Sequence, residues 1–210
     1  MAGFLEQVLV GDYLSRHVPE ACRRLADIAF SGDGEPTSAR EFPEVLQVLA
    51  RVMESFGILG KLPVRLITNG SFMHRDEVKR GLMNLAAMAG EVWFKVDRGD
   101  PEGMLSINQS RIPVERVVAN LRDCAERVPT WVQSCWFAWD GQAPGKEARQ
   151  AYLELLSQVA DVVKGVHLYG LARPSQQPEA GRLGRLSGAE LENWGRCIEK
   201  ETGISVVVSP

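Results

Sequence analysis

The chain has 210 residues, enough for one large domain, since chains of this length bury roughly 70% of the surface they expose when unfolded. Hydrophobic residues at 45% and charged residues at 24% are ordinary globular usage and exclude disordered, collagenous and coiled-coil classes. The net charge of -3 supplies no global basic field for nucleic acid, and no apolar run approaches the roughly 18 to 20 residues that span a bilayer, so a cytoplasmic protein without membrane attachment is expected.

Residues 1–26 read as helix and loop, with Phe4, Leu5, Val8, Leu9, Leu14, Val18 and Leu25 as the apolar positions. A β-rich run follows at 27–31. Phe42, Val45, Leu46, Leu49, Val52, Met53 and Phe56 then recur at three and four, as an amphipathic helix requires. From there short β-rich runs at 64–68, 92–96, 130–137, 166–171 and 204–208 take turns with helical faces over 75–89, 114–125, 148–163 and 188–200. Strands separated by helix-length segments imply parallel βα units, because a parallel neighbour is reached only by a long crossover. Ser187 with Glu190 three residues on forms a capping box for the last helix. That helix and the 204–208 run look like a cap beyond a 5–175 core, within a single domain over 1–210. The stretch 173–185, rich in Pro, Gln, Gly and Arg, reads as a mobile loop.

Strand polarity separates an open doubly wound sheet from a barrel. Parallel strands covered on both faces should be almost continuously apolar. Here the period-two rule puts Lys95 with Asp97, Gln133 with Cys135, and His167 with Tyr169 and Arg173, each set on one face of its strand. Polar side chains recurring toward the C-terminal ends of successive strands suit a barrel lumen carrying a site, so a partial (β/α) barrel is expected. One feature departs from it: a helix precedes the first strand, which leaves the first βα unit incomplete and the ladder edge at 27–31 open to a partner chain.

The most specific segment is FSGDGEPT, which carries Gly32, Gly34 and Glu35. Its glycines let backbone approach a ligand, and its carboxylate suits an ammonium group. It is neither a Walker A loop nor a dinucleotide fingerprint. Followed one βα unit later by ITNGS, then by KVD, the pair Ile107 and Asn108, VQSCWF and LYGLARP, it resembles the radical S-adenosylmethionine (radical SAM) family over roughly residues 5 to 175. The resemblance implies a partial barrel binding S-adenosylmethionine. Gly32, Gly34 and Glu35 would hold the methionine end, and Asn69, Ser71, Lys95 and Asp97 the carboxylate, ribose or substrate. Gln133 and Ser134 would take the ribose, and backbone around Tyr169 the adenine.

The family also binds a [4Fe-4S] cluster through a C-x-x-x-C-x-x-C loop after its first strand. Cys22, Cys124, Cys135 and Cys197 stand too far apart to replace that loop and read as inert thiols. The chain as given is therefore expected to lack the first strand and cluster ligands and to be inactive in reductive cleavage. A late start of the chain and a cluster-free descendant are both open readings, as is a non-enzymatic β/α binding or regulatory module. His17, His74 and His167 are scattered and suggest no metal site. Trp131, Trp136 and Trp139 read mainly as core, with Trp136 and Trp139 placed to wall a planar substrate. The substrate is not legible.

Overall fold

The computed structural model describes residues 2–9, 11–31 and 34–209. Six strands form one sheet: β1 (Ile28–Phe30), β2 (Val64–Thr68), β3 (Glu91–Lys95), β4 (Thr130–Cys135), β6 (Val166–Tyr169) and β8 (Val206–Ser209), side by side in that order. Every neighbouring pair is parallel, with Lys95 beside Gln133 and Cys135 beside Tyr169 in register. Helices α3 (Phe42–Ser55), α4 (Asp76–Ala87), α6 (Val114–Ala125), α7 (Lys146–Ser157) and α8 (Gly188–Thr202) supply the crossovers. The sheet is open, with β1 and β8 at its edges. Two short helices, α1 (Ala2–Leu9) and α2 (Tyr13–His17), precede it. No helix among the described residues is long and apolar enough to cross a membrane.

The strands obey the period-two rule. Val64 and Leu66, Val92 and Phe94, Val132 and Ser134, and Val166 and Leu168 are fully buried on one face, where Leu46, Leu49, Leu82, Leu121, Leu155 and Ile198 of the helices pack on them. The alternate positions, Arg65, Ile67, Trp93, Trp131, Gln133, Cys135, His167 and Tyr169, are only half-buried. One face is thus core, and the other is an open surface of polar and aromatic side chains. At about 25 cal/mol per Å² of apolar area, burying the first face supplies most of what holds the helices down.

Three expectations change. Residues 188–209 do not cap a finished core: β8 pairs with β6, and Leu191, Trp194 and Ile198 belong to the main apolar cluster. The stretch 173–185 includes a 3-10 turn at Pro178–Arg182. Its end, β7 (Leu183–Gly184), pairs antiparallel with β5 (Ala138–Trp139), where the Arg182 guanidinium grips the Asp140 carboxylate at 2.6 Å and lies 4.5 Å from the Trp139 ring. A further helix, α5 (Pro101–Asn108), starts at Asp100, whose carboxylate accepts from the Gly103 N–H at 2.6 Å. The capping box of α8 is present: Ser187 Oγ accepts from the Glu190 N–H, and Glu190 accepts from the Ser187 N–H at 2.8 Å. Ser187→Ala is expected to lose about 1 kcal/mol of stability. A thermal melt should show this as a drop of roughly 2–4 °C.

Candidate functional site

The C-terminal ends of β1 to β4 bring the polar residues together. Beyond β1, Gly34 adopts φ +104 with open space where a Cβ would stand, and Glu35 follows it. The Glu35 carboxylate does not hang free. Oε1 accepts from the Thr37 N–H at 3.1 Å and from the Thr37 and Thr68 hydroxyls at 2.6 and 2.5 Å, while Oε2 accepts from the Asn69 N–H at 2.8 Å. The sequence suggested a carboxylate presented to a ligand. In the folded chain it first clasps the loop after β1 to the turn after β2, with acceptor capacity left on Oε2.

That turn is itself pinned. Asn69 Oδ1 accepts from the Ser71 N–H at 2.9 Å and the Ser71 hydroxyl at 2.6 Å, the Gly70 N–H donates to Thr68 Oγ1, and Asn120 of α6 donates to the Gly70 carbonyl. On the next strand, Asp97 is only 6% exposed: Oδ1 accepts from the Cys135 N–H at 2.7 Å and Oδ2 from Asn108 Nδ2 at 2.6 Å. The carboxylate therefore staples the exits of β3 and β4 and the end of α5.

Asn69, Ser71, Lys95 and Asp97 line one cleft of about 460 Å³, with Arg98 and Asn108. Gly34 and Glu35 line a different one of about 580 Å³ beside β1, walled by Phe4 and Leu5 of α1. The Glu35–Asn69 bond joins the two. Gln133 and Tyr169 lie on the open face of neighbouring strands. Ser134 does not join them: on the covered face its hydroxyl donates to the Val96 carbonyl at 2.5 Å and meets the Tyr152 hydroxyl at 2.5 Å. Gly32 lies outside the described residues. Trp136 is fully buried against Tyr152 and Trp194, and Trp139 lies under Arg182, so neither walls the cleft. Thr68, Arg98 and Asn120 join the site without having been assigned a role, and Asn108, named only within the resemblance, joins them. Arg98, Asn108 and Asn120 lie outside the strands, where the period-two rule gives no signal.

Below the site, the open face is floored by stacked side chains. Arg65 pairs with Asp27 and with Glu91 and lies 4.8 Å from the Trp93 ring, while His167 is held between Trp93 and Trp131, each 4.5 Å away. Burial holds the His167 imidazolium below its ordinary pKa, with Glu91 opposing and Arg65 assisting. An imidazole so depressed binds fewer protons folded than unfolded, so its contribution is present above the unfolded value of about 6.5 and lost as pH falls below it. Urea midpoints should therefore fall between pH 7 and 5, and His167→Phe should flatten that slope. An unchanged slope would show that His167 is not the group responsible. Burial also pushes the Cys135 thiol, beside Asp97, up to about 12, so it stays protonated at neutral pH.

No protein-family profile matches the chain, nor does any curated protein. Solved structures do. A domain of pyruvate-formate lyase-activating enzyme from Bacteroides vulgatus superposes with a TM-score of 0.60 at 15% identity, covering 88% of this chain and 99% of that one. A radical SAM methyltransferase from Sphaerobacter thermophilus gives 0.68 at 18% identity, covering 100% of this chain and 57% of that one. The chain has a radical SAM fold. At such identities the likeness concerns the backbone fold alone.

Proposed function

We propose that this radical SAM-like chain binds S-adenosylmethionine across the C-terminal ends of β1 to β4 and holds it beside a substrate cleft, as the binding portion of a radical SAM enzyme. One observation carries the reading: the Glu35 carboxylate of FSGDGEPT bonds directly to the Asn69 N–H of ITNGS, so the two segments of the resemblance form one physical unit. The open space at Gly34 and the spare lone pair on Glu35 Oε2 fit an approaching ammonium group. In this reading Gly34 and Glu35 take the methionine amino group, Asn69, Ser71 and Lys95 its carboxylate or ribose, and Gln133 and the backbone at Tyr169 the nucleoside. Asp97 positions Asn108 and the exit of β4. When bound, the cofactor supplies a sulfonium for reductive cleavage.

The described residues do not fit the family's cluster. Cys124 lies in the core against Thr130, Cys22 is exposed, and Cys135 and Cys197 belong to different elements, while no three His, Cys, Asp or Glu side chains gather as metal ligands among the described residues. The roles assigned to this chain are binding and positioning. The four unpaired thiols suit a reducing, cytoplasmic setting. The outer edge of β1, which among the described residues pairs in the sheet only with β2, is where we place any pairing partner segment.

The test is calorimetric titration of the purified chain with S-adenosylhomocysteine. Saturable one-to-one binding that weakens in Lys95→Ala is expected. Absence of heat up to millimolar ligand would remove the reading.

A further inference from the structure

Arg98 presents a problem that the cofactor does not solve. It follows Asp97 at the exit of β3, is 5% exposed, and lines the cleft with Lys95. Its Nη1 donates to the Asp97 carbonyl at 2.7 Å and the Cys135 carbonyl at 3.5 Å, and its guanidinium lies 5.0 Å from the Trp136 ring and 5.2 Å from that of Phe137. Nε and Nη2 make no hydrogen bond, and the side chain forms no ion pair, among the described residues. Asp97, whose oxygens are bonded to Cys135 and Asn108, makes no side-chain hydrogen bond to the guanidinium, and it and Asp100 act on it only through space. A guanidinium this buried, with those two carboxylates acting on it without contact, is costly, and aromatic faces recover only part of that cost.

The surroundings reinforce the imbalance. Lys95 is exposed on the same cleft, and the adjoining cleft of about 680 Å³, which shares Ser71 and Ile112 with it, is lined by His74, Arg111 and Arg116. Asp97 is the one carboxylate lining either cleft among the described residues. A chain of net charge -3 has thus gathered cations at the mouth of its site.

We propose that this cleft takes a substrate bearing an oxyanion, a carboxylate or a phosphate, held by the unpartnered Nε and Nη2 of Arg98. The Nε/Nη2 edge offers two parallel N–H donors at the spacing of two such oxygens, a match that an ammonium cannot make. Arg111 and Arg116 would draw the anion toward the cleft. Burial lowers the Arg98 pKa, and an oxyanion would relieve that pressure. The inference deepens the cofactor reading by naming the substrate's chemistry, and it rests on that reading only for the word substrate.

Trp136, against the guanidinium, serves as a built-in reporter. The full chain is titrated with inorganic phosphate and, separately, with acetate, following tryptophan fluorescence against chloride at equal ionic strength. A saturable change with one or both anions and none with chloride is expected, and whichever binds more tightly identifies the group. Arg98→Lys keeps the charge and loses the fork, so binding should weaken about tenfold or more. Should that variant not fold, Arg111→Glu, at an exposed position of the adjoining cleft, must weaken binding, and unchanged affinity overturns the proposal. The titration is repeated with S-adenosylhomocysteine at saturation. A response that persists places the anion beside the cofactor, whereas its disappearance means that Arg98 takes the cofactor's own carboxylate and overturns the proposal. No saturable response in the wild type also overturns it. A chain that binds the anion but not S-adenosylhomocysteine would defeat the cofactor reading and leave the oxyanion site standing.

Discussion

Gly70→Ala should destabilise the fold by about 4 kcal/mol, one of the largest single-residue effects expected in this molecule. Two costs add at the same atom. Gly70 adopts φ +71, where an L side chain is strained, and its added Cβ would stand 2.0 Å from Phe94 Cζ, with two more ring carbons within 2.9 Å. Phe94 cannot yield, being fully buried on the covered face among helix side chains. The backbone cannot yield either, because Thr68 Oγ1 and Asn120 Nδ2 hold the two sides of the turn. For a chain of this size the loss amounts to roughly 8–16 °C in melting midpoint. Combining Gly70→Ala with Phe94→Leu should recover the steric share and leave the conformational one. If the double variant is no more stable than the single one, close approach to the ring is not what requires glycine here.

Glu35→Gln should be nearly as damaging, and more so to binding than to folding. All four donors that converge on this side chain need acceptors, and an amide has only one oxygen to offer. If the oxygen stays with Thr37 and Thr68, the NH₂ faces the Asn69 N–H, donor against donor. If the amide turns over, the Thr68 hydroxyl, buried with its residue at 1% exposure, loses its acceptor. Either way about 2–3 kcal/mol of charge-assisted bonding is lost, and the turn bearing Asn69 and Ser71 is released from the loop bearing Gly34. Denaturation in urea would report the first effect and titration with S-adenosylhomocysteine the second. A variant that melts early yet binds normally would show that the clasp is structural only.

The order of strands and helices was legible because it rests on two periods that hardly overlap. Leu46, Leu49 and Met53 repeat as a helix must, and Val64, Leu66 and Thr68 alternate as a strand must. α5 left no such trace, since it buries only Met104, and β5 and β7 are two residues each, too short for any period. The same rule served the site unevenly. It put Lys95 and Gln133 each on the polar face of its own strand, which the register then sets side by side, and applied one residue further it would have turned Ser134 away from Gln133. Arg98 could not be read at all. A charged residue just past a strand looks solvated, and only tertiary packing of Trp136 and Phe137 makes it buried.

The sheet order has a consequence for how the chain is made. Each strand lies against the strand laid down before it in the sheet, so no pairing in the main sheet waits for a segment synthesised out of turn. Such a sheet can grow at the ribosome one βα unit at a time, each new helix covering the face its strand has just extended. The β5–β7 pair breaks that sequence, because β5 must wait through the synthesis of α7 and β6 before Leu183 and Gly184 arrive. Until then Trp139 has no arginine beside it, and nascent chains stalled before residue 182 should leave that indole open to aqueous quenchers while the four strands from β1 to β4 are already paired.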